Sequence, residues 1–410
     1  MNKFEEMGLP KEIIATLSEM KFSEPTPIQE EAIPHAMKGK DILGSAQTGT
    51  GKTAAFGIPL IARLMSNPKG SALVMTPTRE LATQVLTQLR LMLGKSRDIK
   101  TALLIGGDSM SKQIRQIRDR PRIIVGTPGR INDHLDRGIL KLKHADFLVL
   151  DETDRMLDAG FTVQIEKVMT FLAPQRQTLL FSATVAPNIA RIAEKYLNDP
   201  VRVSVSKSST PAPNIKQDTI KVSDGEKYTS LLTSLDERDG SIIVFVKTKR
   251  GTEKMAKRLQ KEGHSAEAIH GDLKQSKRDR VIASFRKMKY RILVATDVAA
   301  RGLDIPHIEH VINYDLPQCA EDYVHRIGRT ARAGATGSAL SFITPADRGK
   351  WGAIDRLLNP NSKKESRSRK PSSRKPSRKR PSNAAPRGDV VQLRRDKKKK
   401  WSTSKPKKAA

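Results

Sequence analysis

The chain is poor in cysteine, aromatic residues, acidic charge and long apolar runs. Cys319 is the only cysteine in 410 residues, so no disulfide can close within the chain and no multi-cysteine zinc cage can form. One thiol fits a reducing compartment. Phe, Trp and Tyr make up 4% of the residues, which leaves little for reading bases by stacking. No run of about 18 apolar residues occurs, so no transmembrane helix is expected. The opening stretch, Met1-Asn2-Lys3-Phe4-Glu5-Glu6-Met7, has no apolar signal core. These absences lead us to expect a soluble, cytoplasmic protein. Acidic residues number 44 against 75 Lys and Arg, a net charge of +31. After Pro360 there are 20 Lys and Arg and 3 Asp and Glu, so +17 of that charge falls there and +14 before it. Both parts are basic, and a polyanion is the expected partner. An acidic membrane competes, but no basic amphipathic helix with large apolar residues stands out.

What is present begins with Ala46-Gln47-Thr48-Gly49-Thr50-Gly51-Lys52-Thr53, between an apolar strand signal at Asp41-Ile42-Leu43-Gly44 and a helical run from Ala54 to Met65. Glycines let successive N–H groups face one point, and the helix adds its positive dipole end there. This geometry suits nucleotide phosphates, with Lys52 as a mobile charge and the Thr53 hydroxyl as a Mg²⁺ ligand. Ala46 stands where the strict phosphate-loop pattern has its first glycine. Read blandly, the stretch is a Gly/Thr-rich turn before a helix. About a hundred residues on, Phe147-Leu148-Val149-Leu150 runs into Asp151-Glu152-Thr153-Asp154. An apolar run of that kind suits a strand buried on both faces of a parallel sheet. Carboxylates at its end lie at the sheet edge where α/β proteins bind ligands. Asp151 can hold Mg²⁺, and Glu152 can orient or deprotonate an attacking water.

Further apolar runs, Ala72–Met75, Ala102–Ile105, Ile123–Val125 and Leu179–Phe181, alternate with helical stretches, which gives a parallel α/β sheet. Residues 206–214 are polar and rich in Pro and Ser, so a linker is expected after a first domain over residues 1–205. The rhythm restarts at Ile242–Val246, Ile292–Ala295 and His310–Tyr314, marking a second α/β domain over 215–358 without a phosphate loop. Residues 359–410 are dominated by Lys, Arg, Ser and Pro. They cannot offset their ordering entropy by burial, so a disordered basic tail that tethers RNA or ribonucleoprotein is expected.

Taken together, these motifs resemble those of the DEAD-box ATP-dependent RNA helicases, in order from Phe4 to Arg332. The resemblance implies two tandem RecA-like parallel α/β domains, with ATP and Mg²⁺ as cofactors. Phe22 and Pro25-Thr26-Pro27-Ile28-Gln29, with Phe4 upstream, are similar to the adenine-reading motif. Phe22 would stack on the ring and Gln29 would meet the base edge, since an amide both donates and accepts. Asp304 would meet the ribose or the ATP side. Pro77-Thr78-Arg79-Glu80-Leu81, Gly106-Gly107 and Thr127-Pro128-Gly129-Arg130 resemble first-domain RNA contacts, and Arg278, Thr296, Arg301 and Gly302 resemble second-domain ones. Ser182-Ala183-Thr184 resembles the motif whose hydroxyls bond the last acidic residue, here Asp154; with His325 it would couple nucleotide state to RNA. Arg329 and Arg332 would be arginine fingers, and their spacing of three predicts one side of a helical turn. Two residues depart from the family pattern. Thr153 replaces an alanine and is expected to point away from the carboxylates. Ala331 replaces a glycine and is expected to have negative φ. The wording Thr330-Ala331-Arg332-Ala333-Gly334 resembles bacterial members.

The implied activity is ATP-dependent unwinding of short RNA duplexes or remodelling of RNA–protein complexes, by a monomer that closes two domains on ATP and RNA. Grip on phosphates and 2′-hydroxyls would give little sequence preference. Two alternatives are a DNA-directed helicase or translocase and a non-catalytic RNA clamp or annealing platform. RNA-stimulated ATP turnover excludes the clamp, and its ratio on RNA and DNA separates the helicases.

Overall fold

In the computed structural model, described over residues 3–46, 49–94, 98–205, 214–300, 307–331 and 335–359, the apolar runs become two all-parallel sheets. The first contains β1 (Ile42–Ser45), β2 (Ser71–Met75), β3 (Thr101–Leu104), β4 (Ile123–Gly126), β5 (Ala145–Leu150), β6 (Gln177–Ser182) and β7 (Val201–Ser204). The second contains β8 (Ile215–Lys221), β9 (Ile242–Phe245), β10 (Ala266–Ile269), β11 (Ile292–Ala295), β12 (His310–Asn313) and β13 (Gly337–Ile343). Their spatial orders are β3-β4-β2-β5-β6-β1-β7 and β10-β11-β9-β12-β13-β8.

Helices cover both faces of each sheet. The first lobe has α1 (Lys11–Glu19), α2 (Pro27–Met37), α3 (Lys52–Ser66), α4 (Arg79–Leu93), α5 (Met110–Arg118), α6 (Pro128–Asp136), α7 (Thr153–Asp158), α8 (Thr162–Met169) and α9 (Pro187–Tyr196). The second has α10 (Lys227–Asp236), α11 (Lys249–Lys261), α12 (Gln275–Arg286), α13 (Asp297–Ala300), α14 (Ala320–Ile327) and α15 (Arg348–Leu358). No described helix is long and apolar enough to cross a membrane.

The two-faced burial explains the unbroken apolar strands. Along β5, Phe147 and Val149 enter one core cluster while Leu148 and Leu150 enter the other. Four strands lack such a run. β8 is an edge strand, bonded only to β13, and its Ile215-Lys216-Gln217-Asp218-Thr219-Ile220-Lys221 buries only Ile215. β7 and β10 are also edges, and β13 begins with Gly337 and Ser338. The expected linker falls between the end of β7 at Ser204 and the start of β8 at Ile215, and 206–213 lie outside the described residues. The basic tail lies outside them too.

Strand order divides the first sheet's carboxyl edge in two. The loops after β5, β6 and β1, three adjacent strands, carry the acidic motif, Ser182-Ala183-Thr184 and the phosphate loop. The loops after β3, β4 and β2 carry Gly106-Gly107, Thr127 to Arg130 and Pro77 to Leu81. The motifs expected at a nucleotide site and those expected at RNA thus occupy two halves of one edge of one sheet.

Candidate functional site

The phosphate loop is built as its residue types require. Gly49 and Gly51 take positive φ, 89° and 91°. Gly51 caps α3, and a Cβ there would overlap the Gln29 amide and crowd the Thr26 hydroxyl. Lys52 is buried and its Nζ donates to the Ala46 carbonyl at 2.8 Å. Thr53, half-buried, follows in the first turn of α3, after Thr50. Gln47 and Thr48 lie outside the described residues. Gln29 clamps this loop to α2. Its Oε1 accepts from the Thr26 N–H and its Nε2 donates to the Gly51 carbonyl, both at 3.0 Å. One amide hydrogen and one oxygen lone pair remain for a base edge. Phe22 is half-buried beside the same lobe's core. Phe4 corrects an expectation. It is 0% exposed, in the core cluster, so its ring packs on protein and offers no face to a base.

Across the sheet edge, Asp151 and Glu152 are both buried. Burial raises the Asp151 pKa to about 6, against the pull of Lys52. Burial would also raise Glu152, but Arg155, Lys52 and Arg329 together hold it below the ordinary carboxylate value. Adjacent carboxyls driven in opposite directions can take different roles. Asp151 is the one that gains most from a nearby cation, and Glu152 favours its ionised form. Glu152 takes a left-handed backbone, φ 51°, and lies 3.3 Å from Arg155 Nε. Thr153 is buried and its hydroxyl donates to the Leu150 carbonyl at 3.2 Å, so it points back to the strand as expected. Asp154 accepts from the backbone N–H of Ala183 at 3.1 Å. The link to Ser182-Ala183-Thr184 therefore runs through main chain, where the resemblance implied hydroxyls; the Ser182 hydroxyl instead accepts from the Thr184 N–H at 3.4 Å.

The second lobe comes up against the acidic motif's neighbour Arg155. A narrow cavity is lined by Arg155 of the first lobe and by Asp297, Asp322, His325, Arg326 and Arg329 of the second. Arg326 is held by Asp297 through two charge-assisted bonds of 2.5 and 2.7 Å, and its Nη1 donates to Asn313 of β12 at 3.1 Å, which ties α14 to the sheet. His325 is pushed toward the neutral form, chiefly by burial. Arg329 is 4% exposed and its Nε donates to the His325 carbonyl at 3.1 Å. Helical spacing does not place it: α14 ends at Ile327, and Arg329 lies in the turn beyond Gly328. Arg332 and Asp304 lie outside the described residues. Ala331 overturns the expected negative φ, with φ 54°. A left-handed alanine costs roughly 1–2 kcal/mol, and the packing of its side chain against the second-lobe core accompanies that cost.

The other half of the edge forms a cleft of about 380 Å³ lined by both lobes, with Pro77, Thr78, Arg79, Gly106, Thr127, Gly129, Arg130, Phe161, Gly271, Arg278 and Val298 among its walls. Gly107, φ 78°, lets Arg79 lie against the backbone where a Cβ would block it. Thr296 lies between β11 and α13 and is buried. Arg301 and Gly302 lie outside the described residues. Arg278, expected to contact RNA, is committed to protein. It is buried, donates to Glu80 through Nε at 2.8 Å and lies 2.7 Å from it through Nη2, while Nη1 bonds the His270 carbonyl. Gln275 joins the same contact, donating to Glu80 at 3.2 Å and accepting from Arg79 at 3.3 Å. Sequence reasoning missed Glu80 as a partner, together with Phe161, Gly271 and Val298; Glu80 and Val298 sit inside recognised motifs, which was the available signal, whereas Phe161 and Gly271 carry none.

The family model "DEAD/DEAH box helicase" matches residues 26–192, and "Helicase conserved C-terminal domain" matches 225–334. The DEAD-box ATP-dependent RNA helicase CshA of Geobacillus kaustophilus is 47% identical over 358 residues, 87% of this chain and 76% of the relative. The ATP-dependent RNA helicase CshA of Listeria monocytogenes is 46% identical over 351 residues, 85% and 67% of the two chains. Among solved structures, Dbp5 of S. cerevisiae bound to RNA and ADP BeF3 matches with TM-score 0.78 and 33% identity, over 87% of this chain and 94% of that one. Mss116p bound to ssRNA and AMP-PNP matches with TM-score 0.79 and 30% identity, over 87% and 76%. The fold is therefore that of two RecA-like lobes. With both lobes matched in order and nearly half the residues shared across them, this chain belongs to the DEAD-box ATP-dependent RNA helicases.

Proposed function

We propose that the chain couples ATP hydrolysis at the phosphate loop and acidic motif to RNA held in the cleft lined by both lobes, and so opens short RNA duplexes or remodels RNA–protein complexes. The observation that carries this reading is that the second lobe reaches both places: His325 and Arg329 share a small cavity with Arg155, the ion-pair partner of Glu152, and the cleft is lined by both lobes. A single closure builds them together, and opening dismantles them together. ATP phosphates lie on the loop ending at Lys52. Glu152 takes the proton of the attacking water, and Arg329 offsets charge as it develops on the transferred phosphoryl group. Asp154 joins the acidic motif to the Ser182-Ala183-Thr184 loop, so the nucleotide state is felt on neighbouring strands.

Magnesium fits the donors present. The described residues contain no cluster of three or more His, Cys, Asp or Glu. One carboxylate, Asp151, and one hydroxyl, Thr53, match a hard cation that completes its shell with phosphate oxygens and water. Held there, the ion would supply positive charge that neutralises the phosphates.

On the RNA side, Thr78, Arg79, Thr127, Gly129, Arg130 and Thr296 bind phosphate and sugar, which makes recognition largely independent of sequence. We take residues 1–205 as the ATP-binding domain and 215–358 as the second helicase domain, and we place the protein in the cytoplasm as a monomer. A short RNA duplex with a single-stranded overhang is expected to be displaced only with ATP and wild-type Glu152; no displacement by the intact chain over a range of duplex lengths contradicts the reading.

The +17 after Pro360 adds an electrostatic grip driven by counterion release. Truncation after Pro360 is expected to weaken RNA binding most at low salt and to flatten the plot of log affinity against log salt. Turnover at saturating RNA is expected to survive. An unchanged slope would remove RNA binding from the tail.

A further inference from the structure

Two polar side chains of the first lobe are fully buried away from the nucleotide site: Gln113 on α5 and His134 on α6, both 0% exposed. Gln113 Nε2 donates to the Ile105 carbonyl at 2.8 Å and the Asp108 carbonyl at 3.4 Å. Two carbonyls demand the amide nitrogen, so Oε1 faces His134, whose Nε2 lies 3.1 Å away. The imidazole must then carry its proton on Nε2. Its Nδ1 has no hydrogen-bond partner, as that tautomer allows. Burial, then the nearby Arg130 charge, keeps the ring neutral.

What this pair joins matters more than its burial. Ile105 and Asp108 bracket Gly106-Gly107, the turn over which Arg79 lies. His134 belongs to the helix whose first turn holds Pro128, Gly129 and Arg130 and whose cap is Thr127. A continuous hydrogen-bonded path therefore runs from one wall of the cleft to the next through the interior. The glycine turn has no side chain with which to anchor itself. Arg130 gains only a 3.9 Å contact with Asp133 and a sulfur contact with Met110.

We propose that Gln113 and His134 are positioning residues for RNA, a buried brace that fixes the spacing between the Gly106-Gly107 turn and the Thr127–Arg130 turn. Neither touches RNA. They hold the two turns in register so that both can meet one strand. This inference rests on the assignment of the cleft to RNA.

Gln113→Met keeps the length and much of the volume but leaves two carbonyls and one imidazole N–H without partners. The RNA concentration giving half-maximal ATPase stimulation is expected to rise roughly tenfold, in line with an unmade buried hydrogen bond. ATP affinity without RNA and turnover at saturating RNA are expected to stay within about twofold of wild type, because the ATP half of the sheet edge is untouched. His134→Leu follows Gln113→Met, whereas His134→Gln, whose amide can still donate to Gln113, stays near wild type. A merely structural role would lower the melting temperature without separating half-saturation from turnover. Arg130→Ala tests the underlying assignment. If it leaves half-saturation unchanged, the cleft does not bind RNA there and the brace has no such purpose. If it raises half-saturation while Gln113→Met and His134→Leu do not, the brace is overturned and the RNA cleft stands. Should Gln113→Met fail to fold, the difference between His134→Leu and His134→Gln decides by the same readout.

Discussion

Arg329→Ala lowers RNA-stimulated ATP turnover by roughly 10³-fold, the scale of a lost arginine finger. The residue belongs to the second lobe, yet its charge helps hold Glu152 of the first lobe ionised. Its side chain is 4% exposed, and a guanidinium bond to the His325 carbonyl helps to aim it. Removing it takes away charge complementary to the transition state and leaves the phosphate loop intact. ATP affinity without RNA is therefore expected to change little, because loop, Lys52 and Gln29 all belong to the first lobe. Equilibrium nucleotide binding and steady-state hydrolysis, measured on the same variant, separate the two effects. A large loss of RNA-free affinity would make Arg329 part of the resting nucleotide site and would remove its role as a finger delivered by closure.

Glu152→Gln is the second large effect. The amide preserves shape at a position whose left-handed backbone, φ 51°, tolerates few changes of packing. It cannot accept the proton from water. Turnover is expected to fall by roughly 10²-fold or more, the usual loss for a general base. Nucleotide binding should persist, since Lys52 and Asp151 remain. Arg155, 3.3 Å from the carboxylate, loses a counter-charge, so some loss of stability is expected as well. Near-normal RNA-stimulated turnover in this variant would assign the proton transfer elsewhere.

Much of the frame was legible because parallel strands buried on two faces write themselves as apolar runs. Ile42–Ser45, Ala145–Leu150 and Ile242–Phe245 announce themselves in this way, and the functional motifs follow directly at their ends. Strands at the margins were not legible. β8, with Lys216, Gln217 and Lys221 exposed, looks like loop, since only one neighbour constrains it. Local spacing also misled at the arginines: three residues apart suggests a helical turn, but Gly328 ends α14 first. A ring in the right stretch of sequence need not meet a ligand, as the buried Phe4 shows. Ala331 shows that a residue type alone does not fix the sign of φ when its packing can offset the strain. Least legible were partners far apart in the chain. Glu80 and Arg278 are separated by 198 residues, and no local pattern marks either as the other's counter-ion.

The most direct test is ATP turnover by the intact chain at saturating ATP, titrated with single-stranded RNA and, in parallel, with single-stranded DNA of the same sequence. The account predicts slow turnover alone, steep stimulation by RNA and little by DNA, because the site is complete only when both lobes close over RNA. Turnover that is equally fast without RNA would contradict it.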